Sequence, residues 1–318
     1  MRDESRRASM TDHHDLAQAE TLQCAFHDLP PIKSIYKVGE GFGSAVLEVE
    51  AGGTFMFRLG RNARSAQGYE RELKLLPALA PHLPLSIPHP RWYAPPSPDF
   101  PFGALGYPKI AGTSLHLAHL TPSTRPSLVN GIARFLVALH AFPVCEAVSL
   151  GIPVWDAQAE AREREADTLA LLRKRLTPGE WTRVAAWLWE FQKDPVMADS
   201  QPSLIHGDLW YENALVDQDA TLVGIIDFES ARAGDVAQDF ATLRYLGDDF
   251  AADVLQAYTL GGGQPGQNIA QRIDRYWEYR EVPTLLHLWQ IGDLIELEAS
   301  VQKLRTGPIL RGAALDNR

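Results

Sequence analysis

Cysteine is almost absent from this chain of 318 residues: Cys24 and Cys145 are the only two, far apart and in neither C-x-x-C nor metal-ligand spacing. A disulfide framework is therefore not expected, and free thiols in a reducing cytoplasm are. No run of about eighteen apolar residues occurs, which excludes a membrane-spanning helix. The opening "MRDESRRASMTDHHDL" has charge but no apolar core, so it does not read as a secretory signal. Residues 1–20 are expected to form a flexible extension, with Met10 a candidate first residue. An excess of positive charge is also missing. The formal charge of −10 argues against a nucleic-acid partner, which needs clustered Lys and Arg, and is compatible with a cationic ligand drawn to an acidic cleft. There is no internal repeat, no low-complexity tract and no G-x-x-x-x-G-K-[ST] loop.

What is present is an ordinary globular composition, 45% hydrophobic and 22% charged, in a length that suits two lobes. "TDHHDLAQAETLQCAF" reads as an opening helix capped by Thr11 or Asp12. "PIKSIYKVGEGFGSAVLEVEAGGTFMFRLG" alternates β-formers with glycine turns and predicts three antiparallel strands, with Gly52-Gly53 turning between the second and third. "SAQGYERELKLLPALAPHL" is helical by spacing, with Leu73, Leu76 and Leu79 on one face. A proline-rich passage with one more strand leads to a connection at residues 107–111.

Beyond it long helices dominate. Leu128, Ile132, Phe135, Leu136 and Leu139 form an apolar stripe, Asp156 to Leu176 is a charged helix, and Thr177-Pro178-Gly179-Glu180 is a capping box. The expected fold is α+β and two-lobed: a small antiparallel-sheet N-lobe over residues 21–106, a hinge at 107–111 and a larger, mainly helical C-lobe over 112–318.

Two stretches of the C-lobe carry chemistry. "LIHGDLWYENALV" and "GIIDFESARAGD" set Asp208, Asn213 and Asp227 at the exits of apolar runs. Oxygen side chains grouped in this way call for a cation among them. Phosphoryl transfer needs a carboxylate at the attacking hydroxyl, and a further carboxylate with a neutral oxygen ligand to hold magnesium. Capping of backbone groups is the competing explanation for either stretch alone.

"HGDLWYEN" matches the H-x-D-x-x-x-x-N catalytic loop of the kinase superfamily, with Gly207 where protein kinases carry arginine. "IDFESARAGDVAQDFA" is similar to the segment that follows this loop in aminoglycoside phosphotransferases and related small-molecule kinases, including the choline kinase-like enzymes. The resemblance runs from about Ile32 to Tyr258 and implies a protein-kinase-like fold. It makes Asp208 the catalytic base and Asn213 and Asp227 ligands of Mg2+, with ATP or GTP as phosphate donor. His206 reads as a structural residue of the loop, and Asp239, leading into an apolar helix, as a cap.

The nucleotide end is expected at "VGEGFGSAV", with Gly39 and Gly41 under the phosphates and Ser44 where a third glycine is usual. Arg58 on the third strand would meet the phosphates bidentately, oriented by Glu72, with Glu70 in reserve. Tyr107, Lys109 and Ile110 would border the base. For the acceptor the candidates are Trp210 and Tyr211, which could stack on a ring, and Glu278 and Glu281, which could pair with ammonium groups.

The expected partners are a nucleotide and a small-molecule acceptor, an aminoglycoside first, in a cytoplasmic monomer or homodimer that binds neither nucleic acid nor membrane. Homoserine, choline, sugar-derivative and macrolide kinases share the scaffold. A metal-dependent phosphohydrolase or a nucleotide-binding pseudokinase would use the same carboxylates differently.

Overall fold

The computed structural model describes residues 13–41 and 43–311. Thr11, Asp12 and Met10 lie outside them. Helix α1 (His13–Ala25) takes up residues 13–20, part of the segment expected to be a flexible extension. Ala19 and Leu22 explain the difference, because both are buried in the core of the sheet lobe.

The three predicted strands are β1 (Ser34–Glu40), β2 (Ser44–Glu50) and β3 (Thr54–Gly60). Gly52 adopts φ 74° in the β2–β3 turn, a conformation that glycine reaches at no steric cost. Helix α2 (Ala63–Leu79) follows, its first turn capped by the Asn62 side chain, which accepts from the Ser65 amide at 3.2 Å. Its buried face is Tyr69, Glu72, Leu75, Leu76 and Leu79, so Leu75 rather than Leu73 completes the stripe.

Strands β4 (Trp92–Ala94) and β5 (Ala104–Pro108) finish an antiparallel sheet in the order β1-β2-β3-β5-β4. The chain leaves β5 at Pro108 and enters β6 (Thr113–Ser114) in the second lobe.

The second lobe opens with α3 (Arg125–His140), whose predicted stripe is wholly buried. Next come α4 (Val144–Ser149), α5 (Ala157–Arg173) and α6 (Pro178–Phe191). The capping box is present: the Glu180 amide donates to Thr177 Oγ1 at 3.3 Å, and the Thr177 amide donates to Glu180 Oε2 at 2.8 Å.

Four short strands then build the floor of the interlobe cleft: β7 (Ser203–Ile205), β8 (Ala214–Val216), β9 (Leu222–Ile225) and β10 (Arg232–Gly234). β7 pairs with β10, and β6, β8 and β9 form a three-stranded sheet. Helices α7 (Ala237–Leu243), α8 (Asp248–Leu260), α9 (Ile269–Tyr279), α10 (Glu281–Ile291) and α11 (Leu294–Thr306) close the lobe. Among the described residues no helix is long and apolar enough to cross a membrane.

The lobes are stitched together behind the cleft. Ser86, from the sheet lobe, exchanges backbone hydrogen bonds with β9: its amide donates to the Val223 carbonyl and its carbonyl accepts from the Ile225 amide at 3.0 Å.

Candidate active site

The three expected oxygen side chains are held by short pieces of backbone that lace together at Ile226. Asp208 follows β7, Asn213 ends a single 3-10 turn, and Asp227 follows β9. The Ile226 amide donates to the Asn213 carbonyl at 2.9 Å. Its carbonyl accepts from His206 Nε2 at 3.0 Å. The Asp208 amide donates to His206 Nδ1 at 3.3 Å, so the imidazole proton sits on Nε2 and the ring serves as a two-ended brace. His206 is fully buried.

Asn213 Nδ2 donates to the Asp208 carbonyl at 2.9 Å. That fixes the amide plane and leaves Asn213 Oδ1 as the free acceptor. Asp227 sits in the left-handed region at φ 65°, which costs a non-glycine residue about 1 kcal/mol. Gly207, at φ 79°, is glycine for want of room: a Cβ there would lie 2.4 Å from the Ser230 carbonyl oxygen.

Asp239 does not cap its helix. It lies inside α7, completely buried, and its carboxylate accepts from the amides of His206 at 2.9 Å and Gly207 at 2.8 Å. His140 Nε2 stands 3.1 Å from the same carboxylate. Burial works to raise this carboxyl, but the His140 hydrogen bond and charge, with His206 and the Gly207 amide, hold it below the ordinary range. The capping role falls to Asp235, whose Oδ1 accepts from the Ala237 amide at 3.0 Å while Oδ2 pairs with buried Arg272 at 2.8 Å.

Opposite, Arg58 reaches down from β3 and is nearly inaccessible. It pairs with Glu72 at 2.7 Å, Glu229 at 2.6 Å and Asp227 at 3.2 Å. Burial opposes its charge, yet Glu72 and Asp227 together hold the guanidinium more basic than usual. Glu72 is therefore its orienting partner; Glu70 lies within 3.5 Å of the Tyr93 hydroxyl instead.

Glu229 was not singled out in the sequence. It is packed so closely under the glycine-rich turn and α2 that a Cβ on Gly43 or Gly68 would come within 2.9 Å of its side chain. Its place two residues after Asp227 was the available signal.

The glycine-rich turn is pinned by Arg61, whose amide donates to the Gly43 carbonyl at 2.9 Å. Ser44 gives its hydroxyl to a 2.6 Å hydrogen bond with Tyr69, so it offers the cleft backbone and little else. The expected hinge contacts are altered too. The Lys109 amide is already donated to the Thr54 carbonyl at 2.9 Å, and its ammonium to Glu48 at 2.5 Å. Tyr107 is buried in the sheet opposite Met56, and Ile110 packs against Gly224.

Between the lobes lies a cleft of about 710 Å³ whose walls include Gly39, Gly41, Arg58, Asp208, Asn213 and Asp227. It opens at Asp208 into a second pocket of about 310 Å³ walled by α5, α7, α9 and α10. Both are within the size range of small-molecule sites.

The acidic residues proposed for an acceptor are not gathered there. Glu278 accepts from the Trp187 indole at 3.0 Å and pairs with Arg275, outside both spaces. Glu281 is buried in the wall of the main cleft, outside the second pocket, and pairs with Arg280 at 3.3 Å. Trp210 lines the main cleft, whereas Tyr211 packs on the lobe core.

Burial, and then the charge of Asp227, push the Asp208 carboxyl up to about 7. Among the described residues no three His, Cys, Asp or Glu side chains form a metal cage. A magnesium ion does not need one, since it takes one or two carboxylates and fills its octahedron with phosphate oxygens and water. Asp227 Oδ1 is buried and takes no hydrogen bond, though the Arg58 guanidinium faces it at 3.2 Å, and Asn213 Oδ1 is unspent, so the oxygen set suits a hard cation arriving with a phosphate.

The architecture, a small antiparallel sheet over a helical lobe with the charged loops between them, is that of a protein-kinase-like enzyme. The profile described as "Phosphotransferase enzyme family" matches residues 35–272, more than half of the chain, and the chain belongs to that family. It is a small-molecule kinase by class.

Among solved structures, the GDP and kanamycin complex of APH(2")-IIia superposes with a TM-score of 0.81 at 24% identity, over 95% of this chain and 100% of that one. Macrolide 2'-phosphotransferase MphH from Brachybacterium faecium gives a TM-score of 0.70 at 23% identity, over 92% of this chain and 98% of that one. An uncharacterized protein of Bacillus subtilis (strain 168), YcbJ, is 28% identical over 177 residues, half of this chain and 55% of its own length.

Proposed function

We propose that the protein transfers the γ-phosphoryl group of ATP or GTP to an alcohol oxygen of a small molecule, with Asp208 as the base and Mg2+ held by Asn213 and Asp227. The observation that carries this is the lacing at Ile226 of the backbone segments that bear all three side chains, which line one cleft with Arg58. When bound, magnesium would neutralise charge on the phosphate oxygens.

The acceptor O–H bond breaks and its proton passes to Asp208. The freed oxygen bonds to the γ-phosphorus as the bond to the β,γ-bridging oxygen breaks, and the diphosphate leaves with that electron pair. One proton is released per turnover. Arg58, pinned by Glu72, is placed to meet phosphate oxygens, at which point Glu229 and Asp227 must share it with the nucleotide. Glycines at 39 and 41 let backbone approach the phosphates.

The solved relatives named with kanamycin and as a macrolide phosphotransferase make a hydroxylated antibiotic one acceptor to test. The arginines in the walls of the second pocket favour a different charge.

Asp208→Ala is expected to lower turnover by about two to four orders of magnitude while leaving nucleotide affinity close to normal. Steady-state phosphate transfer and calorimetric titration of MgADP check the two halves separately. Normal turnover in that variant would remove Asp208 from the reaction.

A further inference from the structure

The pocket on the far side of Asp208 is dominated by arginine. Arg64, Arg164, Arg232 and Arg280 line it, against the carboxylates of Glu160 and Asp208. Part of this charge is matched internally. Arg164 pairs with Glu160 at 3.2 Å, and Arg280 with Glu281 at 3.3 Å. Arg64 and Arg232 have no ion pair among the described residues.

Arg232 is the telling group. The β7–β10 register sets it opposite Ile205, three residues before Asp208. Its Nε is buried with no hydrogen-bond partner. Its guanidinium carbon lies 3.8 Å over the Trp155 ring, and that of Arg280 lies 3.6 Å over Trp277. Stacking covers a face of each guanidinium; Arg280 spends its Nε and Nη1 on Tyr245, Glu281 and the Trp277 carbonyl, whereas Arg232 keeps its in-plane N–H donors for an oxyanion, the fork geometry that suits carboxylate and phosphate.

The field of these cations is felt by a neighbour. The His287 imidazole is held less basic than usual by burial and by Arg64 and Arg164. A second buried group in the same wall, Gln238 Oε1, lacks a donor and would accept one from a ligand hydroxyl.

We infer that the acceptor is a hydroxylated anion: a small molecule whose carboxylate or phosphate is gripped at Arg232, with Arg64 and Arg164 around it, while a hydroxyl faces Asp208. This rests on the kinase reading above. A polyamine acceptor would have to bring its ammonium groups against these like charges.

The test separates the two ideas. MgATP and MgGTP binding to the full chain is measured first by calorimetry, because failure to bind either sinks the kinase reading and this inference with it. Gluconate, glucose 6-phosphate, glucitol, glucosamine and kanamycin are then compared for binding and for phosphorylated product by mass spectrometry. Gluconate and glucose 6-phosphate distinguish the two oxyanions, and one of them is expected to be bound and phosphorylated in preference to the neutral and cationic compounds.

Arg232→Met should raise the KM for that anion roughly ten- to a hundredfold with MgADP affinity unchanged, and Arg232→Lys should recover part of the loss. Arg164→Met provides the same readout from a half-exposed position should the Arg232 variant fold poorly. Transfer to glucosamine or kanamycin in preference overturns the inference and leaves the kinase standing. So does nucleotide binding with no anion of the panel bound or phosphorylated, or an Arg232→Met defect confined to kcat.

Discussion

Asp208 must be shielded from water and yet carry a charge, and the two demands conflict. Its carboxyl titrates near 7 in the folded chain because of burial and of Asp227. That lies above the value of about 3.9 for an unfolded aspartate. The stability tied to this group is therefore complete below the unfolded value and lost as pH rises through about 7. Contact with the open cleft screens the loss to about 1–2 kcal/mol at pH 8. Asp208→Asn, free of nucleotide and metal, should then resist denaturant better than the parent at pH 8 and equally at pH 4. Equal midpoints at both pH values would show that Asp208 carries no such strain. Asp227 presents the complementary case. Its left-handed backbone and an oxygen that faces Arg58 without a hydrogen bond make sense with a second cation, so Asp227→Ala should weaken MgADP binding at least tenfold without touching metal-free nucleotide binding. A titration run with and without magnesium would detect the difference.

At the scale of elements, the short loop from His206 to Asn213 is held by Asp239. One carboxylate on α7 receives two loop amides and faces His140 on α3, joining three segments far apart in the chain. Its depressed pKa means the reverse sign from Asp208: the stability is present at neutral pH and lost as pH falls below the usual carboxylate range. Asp239→Asn should cost about 3 kcal/mol at pH 7 and speed hydrogen exchange at His206 and Gly207 more than in the sheet lobe. Uniform exchange acceleration would mean that Asp239 supports the whole lobe and not the loop. Local signals made some elements readable in advance. The Thr177–Glu180 box and the Gly52 turn involve neighbours in sequence, so their hydrogen bonds follow from spacing alone. Asp239 looked like a cap for the same local reason, and the loop it actually serves lies about thirty residues earlier.

For the molecule as a whole, two lobes share a cleft and are tied along its back by Ser86 and the passage from Pro108 to Thr113, and across it by the pairs of Arg58 with Asp227 and Glu229. A ligand that touches both lobes stabilises both. MgATP at a hundred times its dissociation constant should add about 2.7 kcal/mol to the unfolding free energy. A thermal scan at several nucleotide concentrations checks this, and a melting temperature indifferent to MgATP would argue against a nucleotide bridging Arg58 and Asp227.

By itself the sequence determined the lobes, the helix and strand types and the three oxygen side chains, because each depends on periodicity or on spacing within a few residues. The resemblance to kinases also pointed to Arg58 and Glu72, as the phosphate-binding cation on the third strand and its orienting acid on the next helix. What only the tertiary structure decided is which charges face the acceptor. Glu278 and Glu281 stand among arginines in sequence and are turned to those partners, while Arg64, Arg164, Arg232 and Arg280 come from four distant segments to one pocket. Charge along a chain says nothing of this, because the sign of a pocket is set by which side chains the packing of helices and the β7–β10 register bring together, and that sum is taken across space.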